Sequence, residues 1–283
     1  VLNIGCHISI AKGFFHAGKE ASSIGANTFQ FFTRNPRGGK AKALDPEDLE
    51  KLQKLMKEEN FARIFAHGSY TMNLASNKKE TREFSKDLLK EDLKRVETIT
   101  NCYYIFHPGS HVKQGVDQGI QYIIEALNEA HDNNQSTPIL LEGMSGKGTE
   151  IGGNIKELQQ IIQGVEDSER LGICLDTCHL YSAGYDIVDR LEEVLGEIDR
   201  TLGLRRLKAI HLNDSKTSFH SNKDRHEVLG KGTIGWEAIE RIIRHPKLRR
   251  LPFNLETPND LSGYEEEIKK LRKIWLKDNY REK

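Results

Sequence analysis

The chain of 283 residues carries 42 basic and 42 acidic side chains and has a pI near 7.3, which excludes a net electrostatic pull toward nucleic acid or membrane and confines any nucleic-acid contact to a local patch. No charged-then-apolar leader opens the sequence and no apolar run approaches the roughly 18 residues of a membrane span, so a cytoplasmic globular protein without a membrane partner is expected. Cys6, Cys102, Cys174 and Cys178 all fall in or beside apolar runs, which suits buried thiols in a reducing compartment and not a disulfide framework.

Short apolar, β-rich runs alternate with stretches of helical period. LNIGCHIS from Leu2 is the first run and NTFQFFT from Asn27 the second. Asp45-Pro46 before Glu47 and Asp48 then predicts an N-cap, a first-turn proline and dipole-matching acids, and Leu49, Leu52, Leu55 and Met56 continue that helix. RIFAHG from Arg63 follows, with helical spacing after it at Leu89, Leu93, Val96 and Ile99. Next come CYYIFHPG from Cys102, PILLEG from Pro138 and GICLDTCH from Gly172, and a further helix is marked by Leu191, Val194, Leu195, Ile198 and Leu202. LKAIHLND from Leu207 and PFNLETP from Pro252 complete the set of strand-like runs. Strand-helix units in this number and length predict a single-domain (β/α)8 TIM barrel spanning residues 1–283, with a doubly wound open sheet as the structural alternative. The loops are short except DSKTSFHSNKDRHEVLGKGTIG after the seventh run, and a loop of that length is more often functional than idle.

In such a barrel the reactive groups sit where strands end. The run ends supply His7, His67, His107, Glu142, Asp176 with His179, His211 with Asp214, and Glu256. One histidine at a strand end is ordinary. So many imidazoles and carboxylates converging on one face need cations to offset their repulsion and desolvation, and Lys and Arg are scarce at the same places. Metal is the simplest cation source, and the mixed His and carboxylate set favours Zn²⁺, with Mn²⁺ or Fe²⁺ as alternatives, over Mg²⁺ or Ca²⁺. The long loop adds KDRHE, in which Asp224 and His226 project to one side if the segment is extended.

The set Glu142, Asp176, His211 and Glu256 resembles the metal quartet of sugar isomerase and epimerase barrels, in which two carboxylates also act as acid and base. Further residues separate the classes. His67 in HGSY, His107 in FHPGSH, His179 in LDTCH, and Asp224 and His226 in DRH together resemble the endonuclease IV family of zinc-dependent abasic-site endonucleases. The likeness extends along nearly the whole chain, through GCHIS, FFTRNPR, HGSYTMNLAS, CLDTCHLYSAGYD, HLNDSK and NLETPN. It implies three zinc ions: one on His67, His107 and Glu142, a second on Glu142, Asp176, His211 and Glu256, and a third on His179, Asp224 and His226. Asp176 and His179 then serve different ions, with the turn at the strand end sending their side chains apart, and Cys178 is a packing residue. The implied reaction is hydrolysis of a phosphodiester 5′ to an abasic residue in duplex DNA, leaving 3′-hydroxyl and 5′-deoxyribose phosphate ends. A water bridging the first two ions would be the nucleophile, positioned by Glu142, and the same site would trim blocked 3′ ends. Arg37 and Tyr70 resemble the family's DNA-penetrating residues. Arg34, Lys40, Lys42, Lys216 and Lys231 are candidates for backbone contacts.

Three positions depart from the family pattern. Gly39 stands where an aromatic residue is frequent, Gly143 where an asparagine is frequent, and Glu227 where a second histidine is common; the last is expected to add negative charge, or an alternative ligand, near the third ion. His7 and His111 are candidates for supporting or phosphate-facing positions, while His16, His131, His220 and His245 fall in ordinary helical or loop contexts, and Trp236 and Trp275 in packing positions. Two other functions compete with DNA hydrolysis: a single-metal sugar isomerase or epimerase, and a metal-stabilised DNA-binding protein without catalysis. The chain shows no oligomerisation face, and a monomer is expected.

Overall fold

The computed structural model describes residues 1–37, 40–130, 132 and 135–278; Gly39 and His131 lie outside the described residues. In chain order the elements begin with β1 (Ile4–Cys6), α1 (Phe14–Ser23), β2 (Gln30–Phe32), α2 (Pro46–Glu58), β3 (Ile64–His67), α3 (Lys79–Glu97), β4 (Cys102–Phe106), α4 (Val116–Glu129), β5 (Ile139–Gly143) and α5 (Ile155–Gly164). They continue with β6 (Leu171–Asp176), α6 (Thr177–Ala183), α7 (Leu191–Leu202), β7 (Leu207–His211), the short strands β8 (Asp214–Ser215) and β9 (His226–Glu227), α8 (Gly235–Arg244), β10 (Phe253–Leu255) and α9 (Leu261–Asp278). Asp45 caps α2 as its sequence predicts, accepting the Glu47 N–H at 3.0 Å. No helix among the described residues is long and apolar enough to cross a membrane.

Eight strands run parallel in the order β1-β10-β7-β6-β5-β4-β3-β2. The two ends of this sheet meet, so the architecture is a TIM barrel and not a doubly wound open sheet. They meet with few hydrogen bonds: a bridge between His7 and Gln30, Ile8 N–H to Gln30 O at 2.8 Å, Asn27 N–H to Ile4 O at 3.0 Å, and Ile4 N–H to the Asn27 side chain at 3.0 Å. A close backbone approach replaces a ladder here. A Cβ on Gly5 would stand 1.9 Å from the Thr28 carbonyl oxygen, so only glycine lets β1 come this near β2. By contrast β5 and β6 pair continuously from Ile139 with Leu171 to Gly143 with Leu175, and both strands are buried at every position, which is why they read as unbroken apolar runs.

Strand period then sets what lies beneath the mouth of the barrel. Phe65, Ile105, Leu140, Cys174 and Ala209 form a separate buried cluster, and each stands two residues before His67, His107, Glu142, Asp176 and His211 respectively. Residues two apart on a strand face the same side. An apolar plug therefore fills the barrel directly under the polar groups, while the larger core lies between strands and helices. All four cysteines are buried and free, as expected.

Candidate metal centre

At the C-terminal ends of the strands the structure brings together three groups whose donor atoms lie within 4.8 Å of one another: His67, His107 and Glu142; Glu142, Asp176, His211 and Glu256; and Asp176, His179 and His226. Glu142 is common to the first two and Asp176 to the last two. Asp224 completes the third, with Oδ1 at 3.3 Å from both His179 Nε2 and His226 Nε2. The turn at the strand end does not send Asp176 and His179 apart as the family resemblance implied. Asp176 is the N-cap of α6 and accepts the His179 N–H at 2.9 Å, which folds the two side chains into one group.

Four of the imidazoles share a design. His67 Nδ1 faces the Gly68 carbonyl at 2.8 Å, His179 Nδ1 the Gly143 carbonyl at 3.0 Å, His226 Nδ1 the Glu256 carbonyl at 3.2 Å, and His211 Nε2 the Gln30 side-chain Oε1 at 2.7 Å. A carbonyl only accepts, so each of these nitrogens carries the proton and the other ring nitrogen presents its lone pair to the cluster. His67 Nε2 is 3.0 Å from Glu142 Oε2 and His211 Nδ1 is 3.3 Å from Glu142 Oε1. The Nε2 atoms of His179 and His226 are buried and make no hydrogen bond.

The electrostatics follow from this crowding. Burial pushes the Glu142 carboxyl up, but His211, His107 and the hydrogen bonds of His107 and His179 outweigh it and hold Glu142 well below the usual carboxylate range. Burial would discharge His179 and His211, yet Asp176, Asp224 and Glu142 around the first, and Cys174, Glu256 and Glu142 around the second, raise both well above their ordinary value, so the cluster favours positive charge there, as a second ring proton or, in its place, a cation on the lone pair. His7 goes the other way, to about 4, chiefly through burial. Buried lone pairs without a donor, beside ionised carboxylates, fit divalent cations held by mixed nitrogen and oxygen donors.

Several supporting residues escaped the sequence reading. Asn213 gives its amide to Asp176 Oδ2 at 2.6 Å and accepts the Glu256 N–H at 2.9 Å; Thr177 Oγ1 donates to the Asn213 carbonyl at 2.6 Å. Gln30 donates to Glu256 Oε1 at 2.6 Å. The only signal for them is a polar residue inside an apolar run, as in NTFQFFT. Gly143 lacks the side chain expected to orient a ligand, but its carbonyl does so for His179. Glu227 is not an added charge on the third group: strand alternation turns it away from His226, toward Lys216 Nζ at 3.9 Å and its own neighbour's N–H.

The basic loop after β2 divides in two. Arg34 is a correction to the surface contact expected of it: it is 5% exposed, donates from Nε to Asp92 at 3.1 Å and from Nη1 to Glu91 at 3.2 Å, and so ties the loop to α3. A guanidinium held by a buried carboxylate has no face left for a phosphate. Arg37 and Lys40 are exposed. Tyr70 is 61% exposed, its ring centroid 5.8 Å from that of His107 and 5.0 Å from that of Phe32, so it stands at the mouth beside the clusters. Lys42, Lys216 and Lys231 are also exposed. His7 lies against Gln30 and His111 accepts the Gly115 N–H at 3.2 Å.

The family model described as a xylose isomerase-like TIM barrel matches residues 19–274. A relative from Alkaliphilus oremlandii named "Probable endonuclease 4" is 59% identical, covering 97% of this chain and 98% of its own. One of the same name from Clostridium botulinum is 56% identical over 98% of this chain and 100% of its own. The chain belongs to the endonuclease IV family. Among solved structures, endonuclease IV from Thermus thermophilus superposes with a TM-score of 0.86 at 32% identity, covering 98% of this chain and 99% of its own. Membership of this family, whose relatives above are named as endonucleases, counts against the sugar isomerase reading.

Proposed function

We propose that this chain is a zinc-dependent DNA-repair hydrolase that cuts duplex DNA 5′ to abasic sites, leaving a 3′-hydroxyl and a 5′-deoxyribose phosphate, and that it also trims blocked 3′ ends. The observation that carries the reading is the linked arrangement of three donor groups on one face, joined through Glu142 and Asp176. His67, His107 and Glu142 would hold one ion, Glu142, Asp176, His211 and Glu256 a second, and His179, Asp224 and His226 a third, with Mn²⁺ or Fe²⁺ as substitutes for Zn²⁺. When bound, such ions supply Lewis acidity toward phosphodiester oxygens and a nucleophile available near neutral pH.

The chain's own residues do the rest. Glu142, buried and ionised, offers one oxygen to each of its two groups and so sets their separation. Exposed Arg37, Lys40 and Lys216 neutralise backbone phosphates, and Tyr70 presents an aromatic face at the mouth, where a missing base leaves a gap to fill. Recognition of gap and backbone makes base sequence nearly irrelevant. The reading includes a cytoplasmic location, with which the four buried free thiols are consistent, and a monomer.

The test is incubation of the purified protein, without added magnesium, with a duplex carrying one stable abasic analogue. A single cut just 5′ of the lesion leaving a 3′-hydroxyl is the expected product. Uncut duplex from protein holding about three zinc ions per chain would overturn the reading in favour of a binding protein, and turnover of a keto sugar by protein holding about one ion would overturn it in favour of an isomerase.

A further inference from the structure

Three of the four proton-bearing imidazole nitrogens at the mouth rest on backbone carbonyls, of Gly68, Gly143 and Glu256. The fourth, His211 Nε2, rests on a side chain, the Oε1 of Gln30 at 2.7 Å. Gln30 is fully buried, and its amide nitrogen donates to Glu256 Oε1 at 2.6 Å and lies 3.4 Å from His7 Nδ1. Its orientation is determined by its two partners. Turned over, the amide would set its N–H groups against the His211 N–H and its carbonyl against the Glu256 carboxylate.

We propose that Gln30 is a positioning residue for the quartet Glu142, Asp176, His211 and Glu256. It keeps the proton on His211 Nε2, so that Nδ1, 3.3 Å from Glu142 Oε1 and 3.4 Å from Glu256 Oε2, is the donor to the ion. It also occupies Glu256 Oε1, so that Oε2 is the oxygen Glu256 offers. One neutral amide thus sets the donor atom of two ligands on two strands, β7 and the end of β10, from a third strand, β2. A carboxylate in its place could serve His211 but not Glu256, and an amine Glu256 but not His211.

The inference rests on the reading that the quartet holds an ion, and the experiment separates the two. The full chain, loaded with zinc, is dialysed against a graded chelator series, its zinc per chain is measured by atomic emission, and the ring protons of His211 are assigned by long-range proton–nitrogen correlation. Gln30→Met should release one ion at roughly 10- to 100-fold less chelator while the others stay, and should lose the fixed Nε2 proton of His211. Gln30→Glu, which keeps the volume and the acceptor, should retain that proton and yet release the ion early. A Gln30→Met protein with the wild-type release curve and the wild-type His211 tautomer overturns the inference alone; if that variant does not fold, a wild-type release curve in Gln30→Glu overturns it. A wild-type chain that takes up no zinc overturns the metal reading and the inference with it.

Discussion

The groups at the mouth of the barrel come from two kinds of support. His67, Glu142, Asp176 and His211 stand on the last residues of barrel strands, over an apolar plug two residues below, and their directions are set by strand geometry. Asp224, Arg37 and Tyr70 stand on loops and His226 on β9, a two-residue strand inside the long seventh loop, and two of these segments are held from behind by a buried carboxylate. Asp214 accepts the N–H groups of Ser215, Gly230, Gly232, Ile234 and Gly235, gathering the segment that follows His226; a Cβ on Gly232 would stand 2.4 Å from its Oδ1. Asp92 holds Arg34, Thr33 and Tyr104 and so fixes the base of the loop that carries Arg37. A strand places a side chain by repeating itself, whereas a loop needs an anchor brought from elsewhere.

Substitutions can break this contrast one support at a time. Glu142→Gln removes the strand-borne charge shared by two groups, and cleavage of an abasic duplex should fall by at least roughly 100-fold with a loss of bound zinc. Near-full cleavage at normal zinc content would show that Glu142 has no role in the reaction. Arg34→Met leaves Asp92 buried and unpaired, and should cost about 3–5 kcal/mol in denaturant unfolding, whereas Arg37→Ala should leave stability unchanged and weaken DNA binding with a shallower salt dependence. Equal stability of the two variants would erase the division drawn within that loop. Asp214→Asn turns an amide toward backbone donors and should cost about 2 kcal/mol; zinc should leave the group of His179, Asp224 and His226 before it leaves that of His67, His107 and Glu142, as read by chelator titration.

The smallest effect tests the same device at the other end of the barrel. Glu97, at the end of α3, accepts the N–H and hydroxyl of both Ser136 and Thr137 just before β5. Partial burial works against its ionised form, but these hydrogen bonds win and bring its pKa from an ordinary 4.5 to about 2. A carboxyl depressed in the folded state adds stability that is full above pH 4.5 and is lost as pH falls toward 2. Allowing for solvent screening, Glu97→Gln should cost about 1 kcal/mol near neutral pH and nothing below that window, with cleavage unaltered. A constant difference across pH 2–5 would count against the anchor.

How much of this was legible in the sequence follows the same division. The barrel and the polar residues at its strand ends could be read because a run such as PILLEG states its own direction and its last polar residue, whereas the sorting of His179, Asp224 and His226 into a third group came from the family resemblance. Arg34 was misread because FTRNPRGGK shows a basic stretch but nothing in it shows Asp92, more than fifty residues away in the chain. Gln30, Asn213 and the anchoring role of Asp214 were missed for the same reason, since a polar residue in an apolar run does not announce its partner. Glu227 was misjudged because β9 is too short to display its alternation in sequence.

The junction between β1 and β2 has a consequence of its own. A ring of strands must be shut somewhere, and here it is shut by the Gly5–Thr28 approach and the His7–Gln30 bridge instead of a full ladder. That junction is where the barrel should breathe first, so backbone amides of residues 4–8 and 27–31 should exchange with solvent sooner than those of β5 and β6. Because Gln30 belongs to the junction and also hydrogen-bonds His211 and Glu256 of the quartet, occupancy of the mouth should slow opening of the wall: what fills the one also latches the other.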